Sequence, residues 1–266
     1  MHFKFERITD MDLKGKAILI TGGRRVGSAL ALMLAERGAN VALTYHTSRE
    51  TIERTASEVE ARGVRALAVA ADLSDADQAE AAVERVAEEF GRIDALVNMA
   101  SIFRRTPFRS LKPSDFDAMI ASNLAAPYHA AVLAGKRMLE QPTNESGLKG
   151  KIINIGDWST ERPYKDYLPY IIAKGGLTTM TLALAVELAP HVAVTMVQPA
   201  MIDPPPTMTV LERQAVVHAT PLAREGTPGD ANRLILYLLE GTDYATGACY
   251  RVDGGRFLGV DPVGDA

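Results

Sequence analysis

The chain has one cysteine, one tryptophan, few aromatic residues and no excess of positive charge, and these shortages narrow its chemistry. Cys249 stands alone among 266 residues, so no internal disulfide can form and a reducing compartment is expected. The formal net charge of -4 removes the electrostatic reason to expect nucleic acid or an anionic membrane as partner. No apolar run is long enough to cross a bilayer, and the first fifteen residues, MHFKFERITDMDLKG, are too charged for a signal peptide. A cytoplasmic location is therefore the expectation, and no metal site is expected. No internal repeat, low-complexity tract or dividing linker interrupts the chain. Instead, 47% apolar and 23% charged residues describe an ordinary globular protein, long enough to bury one sizeable core. The expected organisation is a short extension over residues 1–15, a single domain over 16–255 and a tail over 256–266.

Apolar runs of strand length alternate with longer amphipathic segments. Ala17 to Thr21 reads as a strand, Ser28 to Arg37 as a helix closed by Gly38, and Asn40 to Tyr45 as a second strand. A helix from Thr51 to Arg62 follows, then a strand from Val64 to Ala71, a helix from Ser74 to Phe90 and a strand from Ile93 to Val97. Ile102 to Leu111 reads as a loop, Pro113 to Arg137 as largely helical, and Gln141 to Lys149 as a surface connection. Val192 to Val197 and Gly247 to Val252 are further strands, with a helix from Asp230 to Leu239 between them. Pro204, Pro205 and Pro206 cannot lie in a helix or a central strand, and their segment is a candidate cover for a site. Continuous apolar strands alternating with helices predict an α/β fold, a doubly wound parallel sheet with helices on both faces, Rossmann-like.

Two stretches carry chemistry. After the first strand come Gly22-Gly23-Arg24-Arg25-Val26-Gly27 and a helix. That arrangement offers backbone N–H groups and a helix N-terminus to a phosphate, and Arg24 and Arg25 add charge. After the second strand stand Tyr45, His46, Thr47, Ser48 and Arg49. A dinucleotide fold meets the adenosine ribose here; with no acid for a free 2′-hydroxyl, and with Thr47, Ser48 and Arg49 able to receive a 2′-phosphate, NADPH is favoured. Ser48 also suits an N-cap. The second stretch runs from Ile152 to Gly176: a strand from Lys151 to Ile155, then Asp157 and Trp158, a loop to Tyr167, and a helix continuing past Leu188. Tyr170 and Lys174 lie four residues apart on one face of that helix. An ammonium beside a phenol favours phenolate, so Lys174 is expected to lower the pKa of Tyr170. Asp157 stands at a strand tip, where ligands collect in open α/β sheets.

The order of these motifs, with Asp72-Leu73, Asn98 to Ser101, Asn123, Pro199 and Asp253-Gly254-Gly255, resembles the short-chain dehydrogenase/reductase family along nearly the whole chain. Within it the sequence looks most similar to the pteridine reductases, including bacterial dihydromonapterin and dihydrofolate reductases of this fold. The likeness rests on Asp157 where most of the family has serine, Arg25 in place of a glycine, Tyr45-His46-x-Ser48, Ser101-Ile102-Phe103, and the run Asp157 to Arg162. The glycine loop is one residue shorter than the family pattern, Met99 replaces an asparagine, and Pro199-Ala200-Met201 lacks the usual Pro-Gly.

The resemblance implies NADPH held by Thr21, Gly22, Arg24, Arg25, Val26, Gly27, Tyr45, His46, Thr47, Ser48, Asp72, Leu73, Asn98, Ala100, Ser101, Lys174 and Pro199. It implies a pterin or dihydrofolate against Arg25, Ser101, Phe103, Asp157 and Tyr170, reduced toward the tetrahydro form (tetrahydrobiopterin in some relatives). Asp157, Tyr170, Lys174 and Asn123 are the implied catalytic set, with Asn123 holding a relay water, and a homotetramer is implied. A hydroxyl at position 157 would suit a ketone, whereas a carboxyl suits a basic ring nitrogen. Two other readings are a general reductase of ketones or acyl thioesters, and a non-catalytic NADP-binding sensor, against which the intact Tyr170–Lys174 pair argues. Phe103 could instead anchor its loop, Asp157 cap the loop after it, Asn123 act as a helix-internal amide, and Trp158 either line the pocket or pack.

Overall fold

The computed structural model describes residues 11–204 and 208–259. Seven parallel strands form one sheet in the order β3-β2-β1-β4-β5-β6-β7. They are β1 (Ala17–Thr21), β2 (Asn40–Tyr45), β3 (Ala66–Ala70), β4 (Ala95–Asn98), β5 (Gly150–Ile155), β6 (Val192–Pro199) and β7 (Ala248–Val252). Their apolar runs serve two faces at once, because side chains alternate across a strand. Ile18 and Ile20 of β1 join Leu43, Val97 and Ile153 in one core, while Leu19 joins Leu96, Ile152 and Val194 in the other. Helices α1 (Val26–Ala35), α2 (Arg49–Glu60) and α8 (Pro228–Glu240) cover the first face through Leu30, Leu34, Ile52, Val59, Ile235 and Leu239. Helices α3 (Ala76–Phe90), α5 (Ala126–Glu140) and α6 (Leu168–Glu187) cover the second through Val83, Ala130, Ala134 and Leu177. Leu34 is fully buried, and a change to alanine there is expected to cost about 2–5 kcal/mol.

The sheet is wound outward in both directions from β1 and β4, which pair with Thr21 opposite Asn98. Asn98 in turn lies opposite Asn154 of β5. Connections diverge at this switch point, so a crevice opens beyond the carboxyl ends of β1, β4 and β5.

Three sequence expectations need revision. The fold begins before residue 16, because Met11 and Leu13 are buried in the same core as β1. It also continues past residue 255 in a short 3-10 turn, Arg256–Leu258. The stretch 113–137 is helical as expected, built from α4 (Pro113–Ile120), a π-helical turn (Ala121–Ala125) and α5. Pro127 has no N–H to give to the carbonyl of residue 123, so an unbroken α ladder cannot run through that point. Helix α7 (Val210–His218) carries no strong apolar stripe and was not anticipated; the Thr209–Glu212 capping box starts it. Pro205 and Pro206 of the expected cover lie outside the described residues.

Helix α6 is apolar and twenty residues long, enough to cross a membrane by length and composition. Its buried face, with Tyr170, Ala173, Lys174 and Leu177, belongs instead to the interior of this fold.

Candidate active site beyond the β1, β4 and β5 tips

Gly22 follows β1 with φ 67°, a left-handed backbone open to glycine, and its N–H donates to Thr44 Oγ1. A Cβ on Gly22 would lie 2.9 Å from the Ala100 Cα, so glycine here lets the β1 and β4 turns touch. Gly27 fits under the Met99 sulfur in the same way, 3.1 Å from where its Cβ would be. Val26 opens α1. Arg24 is exposed, and Arg25 (φ 55°) reaches across the crevice to Asp203, with Nη1 donating to its carbonyl at 3.0 Å and Nε 3.3 Å from its carboxylate. The guanidinium expected on the phosphates is thus tied to the segment after β6.

Several predicted cofactor residues do framework work. Thr21 Oγ1 accepts from the N–H of Met99 at 3.0 Å and of Ala100 at 3.4 Å. Asn98 is 3% exposed; its Nδ2 donates to the Pro127 carbonyl and Asn154 Oδ1. Their side chains bind the sheet, leaving backbone to face the crevice. Leu73 is buried, while its carbonyl meets His129 Nδ1 at 3.0 Å. Asp72 accepts from the Ser74 hydroxyl and N–H, which hold its carboxyl below the usual range. His46 lies 3.8 Å from Asp72. Tyr45 closes β2, Thr47 follows, and Ser48 precedes α2 at the N-cap position without a side-chain capping bond. Arg49, exposed, pairs with Glu53 at 2.7 Å. Pro199 ends β6.

Asn123 sits in the π turn, fully buried. Its Oδ1 accepts from Ser101 Oγ at 2.7 Å and from the Ile102 N–H at 2.9 Å, and its Nδ2 donates to the Ile102 carbonyl at 3.0 Å. The expected relay amide therefore fixes the loop that presents Phe103. Half exposed, Phe103 stacks on Tyr167 with centroids 4.6 Å apart and meets Tyr170 edge-on at 5.0 Å.

Asp157 leaves β5 in extended conformation and starts the short 3-10 turn Trp158–Thr160. One carboxylate oxygen accepts from the Ser159 N–H at 2.8 Å, so Asp157 does cap this turn. The other accepts from the Tyr170 hydroxyl at 2.7 Å. Lys174 Nζ donates to the Ile155 carbonyl at 2.7 Å and lies 5.9 Å from the Tyr170 ring. Thus strand β5 and helix α6 bring the three predicted groups together.

The electrostatics reverse one expectation. Burial raises the Tyr170 pKa well above the usual phenol value, and the charge and hydrogen bond of Asp157 raise it further. A phenolate beside a carboxylate would place two like charges in a dry site. Lys174 does not offset this, since burial lowers its own pKa to about 8 against a supporting pull from Asp157. Tyr164, which the sequence reading passed over, is also raised, by burial first and then by Asp157. It stands edge-on to Tyr167 at 5.1 Å and stacks near Trp158 at 5.9 Å. Tyr164 and Tyr167 are spaced three residues apart in a Pro-containing loop, where no periodicity marks them.

Comparisons with known proteins agree with this architecture. The family model for short chain dehydrogenase matches residues 16–215. The 3-oxoacyl-(acyl-carrier-protein) reductase FabG of Staphylococcus aureus is 32% identical over 248 residues, covering 91% of this chain and 98% of that protein. The 2-dehydro-3-deoxy-D-gluconate 5-dehydrogenase of Formosa agariphila is 29% identical over 257 residues, covering 92% and 93%. Among solved structures, a short chain dehydrogenase from Burkholderia cenocepacia in complex with NADP superposes with a TM-score of 0.83 at 33% identity, over 92% of this chain and 99% of that one. None of these relatives is named for a pteridine. Fold, glycine loop, Tyr170–Lys174 pair and matched relatives together place the chain in the short-chain dehydrogenase/reductase family of oxidoreductases.

Proposed function

We propose that the protein is an NADPH-dependent reductase of a C=N bond in a pteridine-like heterocycle, dihydropterin or dihydrofolate to the tetrahydro form. The observation that carries this reading is the Asp157 carboxylate accepting the Tyr170 hydroxyl at 2.7 Å. A carboxylate has no hydrogen to give a ketone oxygen and repels the oxyanion that forms there. It favours a ring N–H or a protonated imine, on which positive charge lies before hydride arrives. Reduction adds one hydride to carbon and one proton to nitrogen. Asp157 would hold the proton-bearing nitrogen, and Tyr170 would orient the carboxylate and exchange a proton with it. Phe103 offers a flat, half-exposed face beside Tyr170.

When bound, the dinucleotide supplies the hydride. The glycine turn against Ala100, the N-terminus of α1 and Arg24 suit its pyrophosphate. The turn Tyr45 to Arg49 carries no carboxylate, which suits a 2′-phosphate. Lys174 would bind the nicotinamide ribose. A cytoplasmic homotetramer accompanies this reading, and light scattering after size exclusion checks its mass.

A second reading is reduction of a ketone or acyl thioester, which the names of the Staphylococcus and Formosa relatives favour. NADPH oxidation with dihydropterin and dihydrofolate, run beside 3-oxoacyl thioesters and simple ketones, separates the two. Turnover confined to ketones or thioesters would sink the C=N reading. Tight NADPH binding with no turnover of either class would leave a sensor.

A further inference from the structure

An aromatic strip leads away from the reacting groups. Phe103, Tyr167, Tyr164 and Trp158 follow one another with centroids 4.6, 5.1 and 5.9 Å apart. At its far end the guanidinium of Arg256 lies 5.7 Å from the Trp158 ring. Arg162, brought by the loop after Trp158, donates to the carbonyls of Arg256 and Phe257, each at 3.3 Å. Among the described residues no carboxylate pairs with Arg256 or Arg162 within 4.0 Å. The neighbouring Arg251 differs, because Glu161 neutralises it at 3.1 Å. Arg256 is partly buried, its pKa lowered by burial first and then by the charge of Arg162. Exposed Arg162 and partly buried Arg256 thus stand together at the end of an aromatic strip that begins beside Tyr170, and an anion between them would relieve their repulsion.

We propose that Arg256, supported by Arg162, binds an anionic arm of the substrate, a carboxylate or phosphate, while the ring or carbonyl to be reduced lies against Asp157 and Tyr170. The site deepens the function proposed above but does not depend on which bond is reduced. The aromatic strip would carry the uncharged middle of such an arm, and the arginines its end. Planar guanidinium suits both oxyanions, bidentate in each case.

The test uses matched pairs that differ in the arm. Dihydrofolate, with carboxylates, is set against a neutral dihydropterin; acetoacetyl-coenzyme A, with phosphates, is set against ethyl acetoacetate. Binding to the NADP-loaded protein is read from the fluorescence of Trp158, the chain's single tryptophan, and needs no turnover. We expect the anionic member of at least one pair to bind more tightly, and R256Q to weaken that member by about tenfold while changing its neutral partner less than about twofold. R256K should recover part of the loss, and added salt should weaken only the anionic member. Which pair responds identifies carboxylate or phosphate. Equal weakening of both members by R256Q, or no preference for an anionic member in either pair, would overturn the proposal. Which class is turned over with NADPH reports separately on the bond reduced.

Discussion

Asp157→Asn isolates the charge from the shape of the group at the β5 tip. The amide oxygen can still accept the Ser159 N–H now held at 2.8 Å, so the turn should survive. What changes is the bond from Tyr170, at 2.7 Å to a carboxylate oxygen. Hydrogen bonds to charged groups contribute about 1.5–3 kcal/mol and neutral ones about 0.5–1.5. Losing the charge should therefore cost about 1–2 kcal/mol there and a similar amount at the substrate nitrogen. A barrier higher by about 3 kcal/mol corresponds to about 10²-fold in rate. NADPH affinity should stay within about twofold, because the proposed role of Asp157 is toward the substrate and not the cofactor. A second readout follows from Lys174, whose pKa of about 8 is set by burial against a supporting pull from Asp157. If the ammonium form is needed, activity falls as pH rises through that value. Without the Asp157 charge the ammonium is held less firmly, so the basic limb of kcat/KM against pH should begin below 8. Stopped-flow NADPH oxidation measures both quantities. Unchanged pterin turnover together with an unmoved basic limb would remove Asp157 from the mechanism. Asp157→Ser should shift preference toward ketones.

Lys174→Met should abolish turnover yet raise thermal stability. The folded-state pKa of about 8 lies below the ordinary 10.5, so charged Lys174 costs stability below 8 and the cost fades as pH rises toward 10.5. Removing that penalty returns about 3 kcal/mol, less about 1 for the bond lost to the Ile155 carbonyl, or a few degrees in Tm at pH 7. A lower Tm at pH 7 would refute the burial argument. Arg49→Ala should raise the KM for NADPH about five- to tenfold and leave NADH unaffected, since only the 2′-phosphate can draw the guanidinium from Glu53; equal effects on both cofactors would reject that role. Gly22→Ala combines a φ of 67° with a Cβ 2.9 Å from the Ala100 backbone. It should weaken NADPH binding by about tenfold or more, through strain of about 1–3 kcal/mol, as read by NADPH fluorescence titration.

Sequence alone determined the layered parallel sheet, the position of the glycine loop, Asp157 at a strand tip, and Tyr170 with Lys174 on one helical face; that the three share a site came from the family resemblance. These rest on local patterns: continuous apolar runs, glycines at chain reversals, and a four-residue spacing on one helix. It did not reach α7, whose capping box precedes a helix with little apolar periodicity, or the π turn forced ahead of Pro127. Nor could it show that Asn98 and Asn123 brace the framework, because Thr21 and Asn154, which hold Asn98, and Ile102, which holds Asn123, lie 21 to 77 residues away. Only the tertiary structure decided that the Tyr170 hydroxyl meets Asp157, that burial lifts its pKa despite the nearby lysine, and that Arg25 reaches Asp203. Proton affinity depends on the water lost and the charges gained when distant segments close together, and neither quantity is written in the neighbouring residues of the chain.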